Sequence, residues 1–255
     1  MVLVVIPARY GSVRFPGKPL AKLHGKPMIQ HVYEQVAKAK RVQDVVVATD
    51  DERIINAIQR CGGTAILTSA SARSGSERVA EIARTRDANV VINVQGDEPL
   101  VHPDMVDQIA EFLERHAAVP MASLMIPLRD EAEAASPNVV KVVTDRDGFA
   151  LYFSRAPIPG RRTDGAAGPS GARFYKHLGL YGYQRHFLLQ FPHLEPTRLE
   201  QQEGLEQLRA LEHGHRIKLL ETVHDSVGVD TPDDLARVEN LMAKSSGQLK
   251  VESGK

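Results

Sequence analysis

The stretch Val2–Leu20 reads VLVVIPARYGSVRFPGKPL, and the rest of the chain can be placed around it. Its first residues, Val2–Ile6, are all apolar, which is typical of a buried strand and too short for a buried helix. Pro7 is expected to end that strand. The loop that follows carries glycines, a hydroxyl and cations, namely Arg9, Gly11, Ser12, Arg14, Gly17 and Lys18. Glycines let a backbone approach a ligand closely, and fixed cations match phosphate oxygens. The stretch therefore predicts a nucleoside triphosphate site at a sheet edge, with an ordinary solvated surface loop as the alternative.

Two better-known phosphate motifs are excluded by the spacing of this loop. The segment from Gly11 to Gly17 does not supply G-x-G-x-x-G, so a dinucleotide fingerprint is absent. A P-loop needs Ser or Thr after its lysine, whereas Lys18 is followed by Pro19. We expect Pro19 to hold Lys18 in an extended loop that wraps the triphosphate, rather than on a helix.

Composition limits the classes of function. The chain has 255 residues, with Lys+Arg and Asp+Glu both 32, so no overall field favours nucleic acid or an anionic membrane. Cys61 is the only cysteine, which excludes an internal disulfide and suits a reducing cytoplasm. We find no apolar run of membrane-spanning length and no signal-peptide pattern at the N-terminus, so we expect no membrane insertion.

Strand-like and helix-like segments alternate along the chain, which predicts a largely parallel sheet with helices on both faces. The predicted strands after the first are Asp44 to Thr49, Thr64 to Thr68, Val90 to Val94, Val119 to Leu128, Val139 to Thr144, Phe149 to Phe153, His177 to Tyr183 and Arg216 to Glu221. The predicted helices are Pro27 to Lys40, Glu52 to Cys61, one opening at Ser74, Pro103 to His116, Pro196 to Glu212 and one opening at Pro232. A D-R-D-G turn predicts a hairpin after Thr144, so the sheet is expected to be mixed. Gly204 inside the helix from Pro196 has no explanation at this level.

Several charged residues follow strands or open helices. Asp97 directly follows a predicted strand, where ligands of open α/β sheets bind, and a carboxylate there can hold Mg²⁺; an ordinary turn acid is the alternative. Arg78 lies in the first turn of a helix, where the dipole disfavours a cation, which suggests an anionic or polar partner; a solvent-facing arginine is the alternative. Arg155 follows an apolar strand and can project into the cleft, where its fork suits a carboxylate. Asp230 lies before the helix cap Thr231 and is not explained by capping.

Six segments in order carry a resemblance to a known family. They are I-P-A-R-Y-G-S-x-R-x-P-G-K-P-L, S-G-[ST]-E-R-x-A-E, V-Q-G-D-E-P, K-H-L-G-L-Y-G-Y, L-E-x-x-E-x-L-E-Q-L-R and G-[VI]-D-T-P-x-D-L. Together they span Val2 to about Met242 and resemble the CMP-sugar synthetases, most of all those that use 3-deoxy-manno-octulosonate (KDO). Departures lie in the loop from Gly160 to Gly171 and at Gln201, Gln202 and Gly204.

The resemblance implies a fold and a reaction. The fold would be a Rossmann-like α/β domain of the nucleotide-diphospho-sugar transferase type at residues 1–244. Within it, residues 119–216 would form a small sugar-binding and dimerisation lobe, and residues 245–255 would be a disordered tail. The reaction would be CTP plus KDO giving CMP-KDO and pyrophosphate in the cytoplasm, for lipopolysaccharide synthesis by a homodimer that needs Mg²⁺.

The same resemblance implies roles for individual residues. Those assigned to catalysis are Arg9, Lys18, Asp97 and Asp230, with Asp97 and Asp230 as the metal ligands. Those assigned to CTP are Ala8, Arg9, Gly11, Ser12, Lys18, Ser74, Gly75, Arg78 and Gln95. Those assigned to the sugar are Gln95, Arg155, His177, Tyr181, Glu206 and Gln207. A histidine or tyrosine on a strand is more often a packed core residue, so the sugar roles depend on the resemblance.

Three alternatives remain at the level of the sequence. A synthetase for another acid sugar, such as 8-amino-KDO or a sialate, would differ only in the sugar lobe. A nucleotide-sugar glycosyltransferase would normally carry Asp-x-Asp at its metal site, whereas Asp97 is followed by Glu98 and Pro99. A non-enzymatic nucleotide-binding module would need neither Arg155 nor a second carboxylate.

Overall fold

The computed structural model describes residues 1–11, 14–128, 130–160 and 174–252, with side chains as far as residue 243. Its strands are β1 (Val2–Ala8), β2 (Lys22–Leu23), β3 (Lys26–Pro27), β4 (Asp44–Thr49), β5 (Thr64–Leu67), β6 (Val90–Asn93), β7 (Met121–Pro127), β8 (Lys141–Thr144), β9 (Ala150–Ser154), β10 (Tyr175–Gln184) and β11 (Ile217–Glu221). Its α-helices are α1 (Met28–Val36), α2 (Glu52–Arg60), α3 (Gly75–Arg84), α4 (Pro103–Arg115), α5 (Glu131–Ala135), α6 (Arg185–Gln190), α7 (Arg198–Glu203), α8 (Gln207–Glu212) and α9 (Pro232–Glu252). Single 3-10 turns lie at Lys18–Leu20 and Phe191–His193. No helix in these ranges combines the length and the apolar character that crossing a membrane requires.

The main sheet has nine strands and is mixed, as the sequence predicts. Its order is β11-β7-β10-β6-β1-β4-β5, and the hairpin β8–β9 attaches to β10 through β8. All of these described strands point the same way except β9 and β10, which pair antiparallel with their neighbours. The carboxyl ends of β1, β4, β5 and β6 therefore meet at one edge of the sheet.

The central strand β1 contributes to two cores because its side chains alternate between the faces. Val2, Val4 and Ile6 pack with α1, α2 and α4 on one face. Leu3 and Val5 pack with α3, α6 and α8 on the other. All five of these side chains are fully buried, which explains the unbroken apolar run. The prediction of helices on both faces is confirmed.

Pro7 does not end β1, contrary to the prediction from sequence. The strand continues to Ala8, with Pro7 in register with Ala48 of β4. On the other side, β6 ends at Asn93, which is opposite Val5. Pro7 thus has a strand partner on one side only, and a proline can be tolerated there.

The single helix predicted from Pro196 to Glu212 is wrong, since the structure has α7 and α8 instead. Gly204 ends α7 in the left-handed region, at φ 63°, and its N–H donates to the carbonyl of Glu200. A glycine takes this conformation without a Cβ penalty and is common just after a helix. The position of Gly204 at the end of α7 therefore explains why a glycine occurs in a segment that the sequence predicted as one helix.

The range predicted as a smaller lobe, 119–216, contributes β7 and β10 to the main sheet, so the sheet is continuous across that boundary. The backbone of α9 is helical as far as Glu252, where a disordered tail was expected from residue 245. Polar residues such as Ser, Gln and Lys can continue a helix that has already begun. The remaining tail residues, 253–255, and most of the loop from Gly160 to Gly171 lie outside the described residues.

Candidate active site

A cavity of about 400 Å³ opens at the carboxyl edge shared by β1 and β6. It is lined by most of the residues predicted to bind the nucleotide or the metal, namely Ala8, Arg9, Lys18, Ser74, Gly75, Arg78, Gln95, Asp97 and Asp230. Gly11 is exposed and is not among the described lining residues, and Ser12 lies outside the described residues. Arg14, one of the loop cations expected to match phosphate oxygens, also lines the cavity, as does Arg73, for which no role follows from the sequence. Four arginines and one lysine therefore border one concave surface.

Lys18 brings the two predicted metal carboxylates together. Its Nζ lies 2.6 Å from Asp97 Oδ2 and 3.3 Å from Asp230 Oδ1. The lysine side chain is only 12% exposed, whereas the two carboxylates are 33% and 50% exposed. Both acids thus converge on one cationic group at the cavity wall, although they come from distant parts of the chain.

The backbone ties these two acid-bearing segments to each other. The N–H of Val229 donates to the carbonyl of Asp97 at 2.9 Å. Gly96 lies so close to β1 that an added Cβ would be 2.8 Å from the carbonyl oxygen of Pro7. Glycine is therefore needed for close approach of the loop to β1, a constraint beyond the turn chemistry expected for Gly-Asp.

The local conformation of Lys18 differs from the prediction. It begins the 3-10 turn Lys18–Leu20 instead of lying in an extended loop. Gly17 precedes the turn at φ 71°, and its N–H donates to the carbonyl of Tyr10. Pro19 is compatible with the turn because the first residues of a helix need no intrahelical N–H donor.

The N-terminus of α3 faces the cavity. Ser74 is its N-cap and accepts a hydrogen bond from the N–H of Glu77, as the S-x-x-E spacing predicts. The Glu77 carboxylate accepts from the backbone N–H of Arg73 and pairs with the Arg73 guanidinium, rather than completing the capping box at Ser74. Ser74 and Gly75 line the cavity at the positive end of the helix dipole, which favours an anion such as phosphate.

Arg78 has a partner that the sequence did not reveal. Its side chain is 4% exposed, and its Nη2 donates to Asp50 Oδ2 at 2.9 Å. Its Nη1 donates to Thr68 Oγ1. Arg78 thus joins the ends of β4 and β5 at the cavity, and its predicted contact with the nucleoside stays a prediction. Asp50 could have been noticed because it directly follows the strand Asp44–Thr49.

Most of the predicted sugar residues form a second, partly buried cluster on the same face of the sheet as α3. His177 and Tyr181 of β10 lie close together, with ring centroids 5.3 Å apart. Glu206 accepts a hydrogen bond of 2.6 Å from Ser76 Oγ, so the first turn of α3 links this cluster to the cavity. Gln207 is 4% exposed, and its Nε2 has no hydrogen-bond partner among the described residues. Ser76 was missed because a serine inside a helix gives no sequence signal.

Burial controls protonation in this cluster. It lowers the pKa of His177 to about 3, so the imidazole is neutral. His177 Nε2 lies 2.9 Å from Ser123 Oγ. Ser123 lies at the register shift between β10 and β7, where Leu178 and Tyr181 of β10 pair with adjacent residues of β7. Burial also raises the pKa of Tyr181, and nearby Tyr183 and Glu206 add to the shift. Both side chains can therefore act as neutral hydrogen-bonding groups.

Arg155 lies apart from the nucleotide cavity and is held by backbone carbonyls. Its Nε donates to the carbonyl of Glu203 at 2.8 Å, and its Nη1 donates to that of Pro137 at 3.1 Å. The Glu203 carboxylate in turn accepts from the backbone N–H of Arg155 and from Ser154 Oγ. The described contacts do not bring Arg155 to His177 or Tyr181, so its predicted sugar clamp stays a prediction. Glu203 was missed because helix acids are usually solvated.

Glu98 is not among the described residues that line the cavity, although it directly follows Asp97. Its Oε2 accepts a 2.7 Å hydrogen bond from Ser226 Oγ. Burial raises the pKa of Glu98 to about 7. This contact gives a second connection between the loop after β6 and the segment that leads to Asp230.

Comparison with known proteins gives a consistent set of matches. A sequence model of the cytidylyltransferase family matches residues 3–217. The 3-deoxy-manno-octulosonate cytidylyltransferase of Geotalea uraniireducens (strain Rf4) is 50% identical over 249 residues, covering 95% of this chain and 99% of the relative. The 3-deoxy-manno-octulosonate cytidylyltransferase of Geobacter metallireducens (strain ATCC 53774 / DSM 7210 / GS-15) is 49% identical over 249 residues, covering 95% of this chain and 98% of the relative.

A solved structure resembles this one closely. It is a CMP:2-keto-3-deoxy-manno-octonic acid synthetase complexed with CTP, which is 44% identical in sequence. The superposition has a TM-score of 0.89 and covers 96% of this chain and 99% of the other.

Proposed function

Because this chain belongs to the cytidylyltransferase family, we propose that it transfers CMP from CTP to the anomeric hydroxyl of KDO and releases pyrophosphate. The observation that carries this proposal is the convergence of Asp97 and Asp230 on Lys18 at the wall of a cavity bordered by arginines. The names of relatives that align over nearly their whole length favour KDO over the other acid sugars that the sequence left open.

The residues of the cavity suit a triphosphate. Arg9, Arg14, Lys18 and Arg73 can neutralise phosphate oxygens, and the N-terminus of α3 can add backbone N–H donors. Phosphoryl and nucleotidyl transfers depend mainly on positioning and on stabilisation of charge, since the protein itself forms no covalent bond. Charges held in a partly enclosed site stabilise the transition state more than the same charges in water.

We propose Mg²⁺ as the cofactor, held by Asp97 and Asp230. The donor set fits, because both carboxylates already meet at one cation and Mg²⁺ prefers oxygen ligands. When bound, Mg²⁺ would neutralise phosphate charge and lower the pKa of a hydroxyl that coordinates it. Lys18 lines the same cavity, where its ammonium group can donate to a phosphate oxygen.

The second cluster suits the sugar. Gln95 belongs to the lining of the nucleotide cavity, and Gly179 of β10 is close to it, since an added Cβ would lie 4.0 Å from Gln95 Cγ. His177, Tyr181, Glu206 and Gln207 supply neutral and acidic hydrogen-bonding groups in the second cluster. The unpartnered Nε2 of Gln207 is a buried donor that a sugar oxygen could satisfy.

We also propose that the enzyme is a homodimer that works in the cytoplasm, where CTP is available, and supplies lipopolysaccharide synthesis. Support for a dimer comes from β9, which among the described strands pairs with β8 alone within the sheet and exposes 63% of Leu151. An apolar side chain on a strand edge is a common feature of self-association.

The function can be tested by mixing the purified chain with CTP, Mg²⁺ and KDO and measuring pyrophosphate. We expect release that requires all three components and slows strongly when a sialate replaces KDO or UTP replaces CTP. Pyrophosphate release that does not depend on the added sugar, or turnover of a nucleotide sugar instead of CTP, would contradict the proposal.

A further inference from the structure

Three potential metal ligands converge outside the active-site cavity. His102 and Asp104 stand at the start of α4, and His224 lies in the segment between β11 and α9. One ligand atom from each lies within 4.8 Å of the others. The distances from Asp104 Oδ2 to His102 Nδ1 and to His224 Nε2 are both 3.5 Å. None of the three is among the described residues that line the cavity.

We propose that His102, Asp104 and His224 bind a divalent transition-metal ion, with Zn²⁺ as the probe. Two imidazoles and one carboxylate are a common donor set for Zn²⁺, and three protein ligands leave a fourth position for water. Imidazole nitrogen suits Zn²⁺, Ni²⁺ or Cu²⁺, whereas Mg²⁺ prefers oxygen ligands. The site therefore differs in metal preference from the carboxylate pair at Asp97 and Asp230.

The donor atoms are available to an ion. A separation of 3.5 Å is too long for a good hydrogen bond, so the Asp104 carboxylate engages neither imidazole strongly. His102 Nδ1 accepts only a long 3.3 Å bond from the N–H of Asp104.

The two histidine rings are stacked, with centroids 3.7 Å apart and an interplanar angle of 6°. This places both rings beside the same carboxylate oxygen, with their in-plane lone pairs lying in nearly parallel planes. A bound ion requires each ring to turn about its Cβ–Cγ bond so that the lone pairs converge. The side chains are 44% and 30% exposed, and that of Asp104 is 62% exposed, which leaves room for this rotation and for entry of the ion.

An ion at this position would connect two separate parts of the chain. His224 belongs to the same segment as Ser226, which is bonded to Glu98, and this segment leads to Asp230. The ion would join the start of α4 to that segment and would add its binding free energy to the stability of the folded state.

The test is calorimetric titration of Zn²⁺ into the untagged full chain, in millimolar Mg²⁺ to occupy the carboxylate pair. We expect one Zn²⁺ per chain and a Tm that rises with Zn²⁺ concentration. His102→Asn removes the imidazole and keeps a good helix N-cap, and His224→Ala removes the second ring. Each should weaken Zn²⁺ binding at least about tenfold and abolish most of the Tm increase.

The matched control is His193→Ala, which removes an exposed histidine far from the cluster in sequence and should leave Zn²⁺ affinity unchanged. Visible absorption of Co²⁺ gives a second measurement, because nitrogen ligation by His102 and His224 should produce bands that both variants lose. Wild-type Zn²⁺ affinity in either variant, or no one-to-one binding by the wild-type chain, would overturn the proposal. Neither result depends on cytidylyltransferase activity.

Discussion

At the residue scale, the active site depends on charges that are held by other charges. Lys18 is placed by Asp97 and Asp230, and Arg78 is placed by Asp50 and Thr68. The sequence identified Lys18 in the loop after the first strand and Asp97 directly after another strand. It identified Asp230 because helix capping does not explain an acid before Thr231. It could not identify Asp50 as the partner of Arg78, since the two meet only when β4 lies beside α3.

The carboxylate pair gives the most direct prediction for catalysis. Asp97→Asn and Asp230→Asn each remove a metal charge partner and keep the shape of the side chain, so turnover with Mg²⁺ should fall on the order of a hundredfold or more. Steady-state kinetics over a Mg²⁺ series would measure it. Asp233→Asn, an exposed acid in the first turn of α9, is the control and should keep wild-type turnover. Near-normal activity in either of the first two variants would remove that residue from the metal site.

His177 gives a prediction for pH dependence. Its pKa falls from an ordinary 6.5 to about 3 in the folded chain, so below pH 6.5 the unfolded chain binds a proton that the folded chain does not. Stability should therefore fall as pH drops from 6.5 towards 3, by about 1.4 kcal/mol at pH 5.5 from this group. Thermal unfolding at pH 7.5 and pH 5.5 should show a smaller loss in His177→Gln. If His177→Gln and His193→Gln lose the same stability as the wild type, His177 is not the group responsible.

At the element scale, short-range signals identified most strands and helices but not the places where backbone conformation changes. The strands Asp44–Thr49 and Val90–Asn93 follow directly from their apolar residues. The division between α7 and α8 was missed, because the helical spacing of Leu205, Leu208 and Leu211 was extended back through Gly204 to Pro196. The 3-10 turn at Lys18 was missed for a related reason, since a proline after a lysine is compatible with a loop or with the first turn of a helix.

Gly204 provides a test of the observed division. Its φ of 63° is unfavourable for any residue with a Cβ, and no atom lies within 4 Å of an added Cβ, so Gly204→Ala tests backbone conformation alone. We expect it to reduce the free energy of unfolding by about 1–2 kcal/mol. Gly228→Ala is the matched control, because a Cβ added at Gly228 would also meet no atom within 4 Å but the residue has no positive φ. The free energy of unfolding of this variant should be unchanged or slightly higher than that of the wild type. Chemical denaturation measures both, and equal effects would contradict the left-handed assignment.

At the scale of the whole molecule, the alternation of strands and helices predicted the fold class, and the mixed sheet with two helical faces is confirmed. The direction and neighbours of β10 could not be predicted, because they depend on long-range pairing with β6 and β7. The same pairing brings His177 and Tyr181 beside α3, so the proposed role of this cluster in sugar binding was accessible from sequence only through the resemblance to a family.

The proposed dimer can be tested at this scale. If β9 forms the interface, Leu151→Asp buries a charge there and should shift the chain from dimer to monomer at micromolar concentration. Light scattering with size-exclusion chromatography measures the mass. Leu67→Asp changes a leucine that is 57% exposed on β5, at the far edge of the sheet, and should leave the dimer intact. A monomeric wild type, or a dimer that only Leu67→Asp disrupts, would contradict this interface.

The position of β1 has a consequence for how the molecule unfolds. Val4 and Val5 are adjacent in the chain, yet they belong to the cores on opposite faces of the sheet. Loss of β1 would remove the central strand from both cores at once. The two helical layers should therefore melt together in one cooperative transition, so that damage to either face weakens the nucleotide cavity at the end of the shared strand.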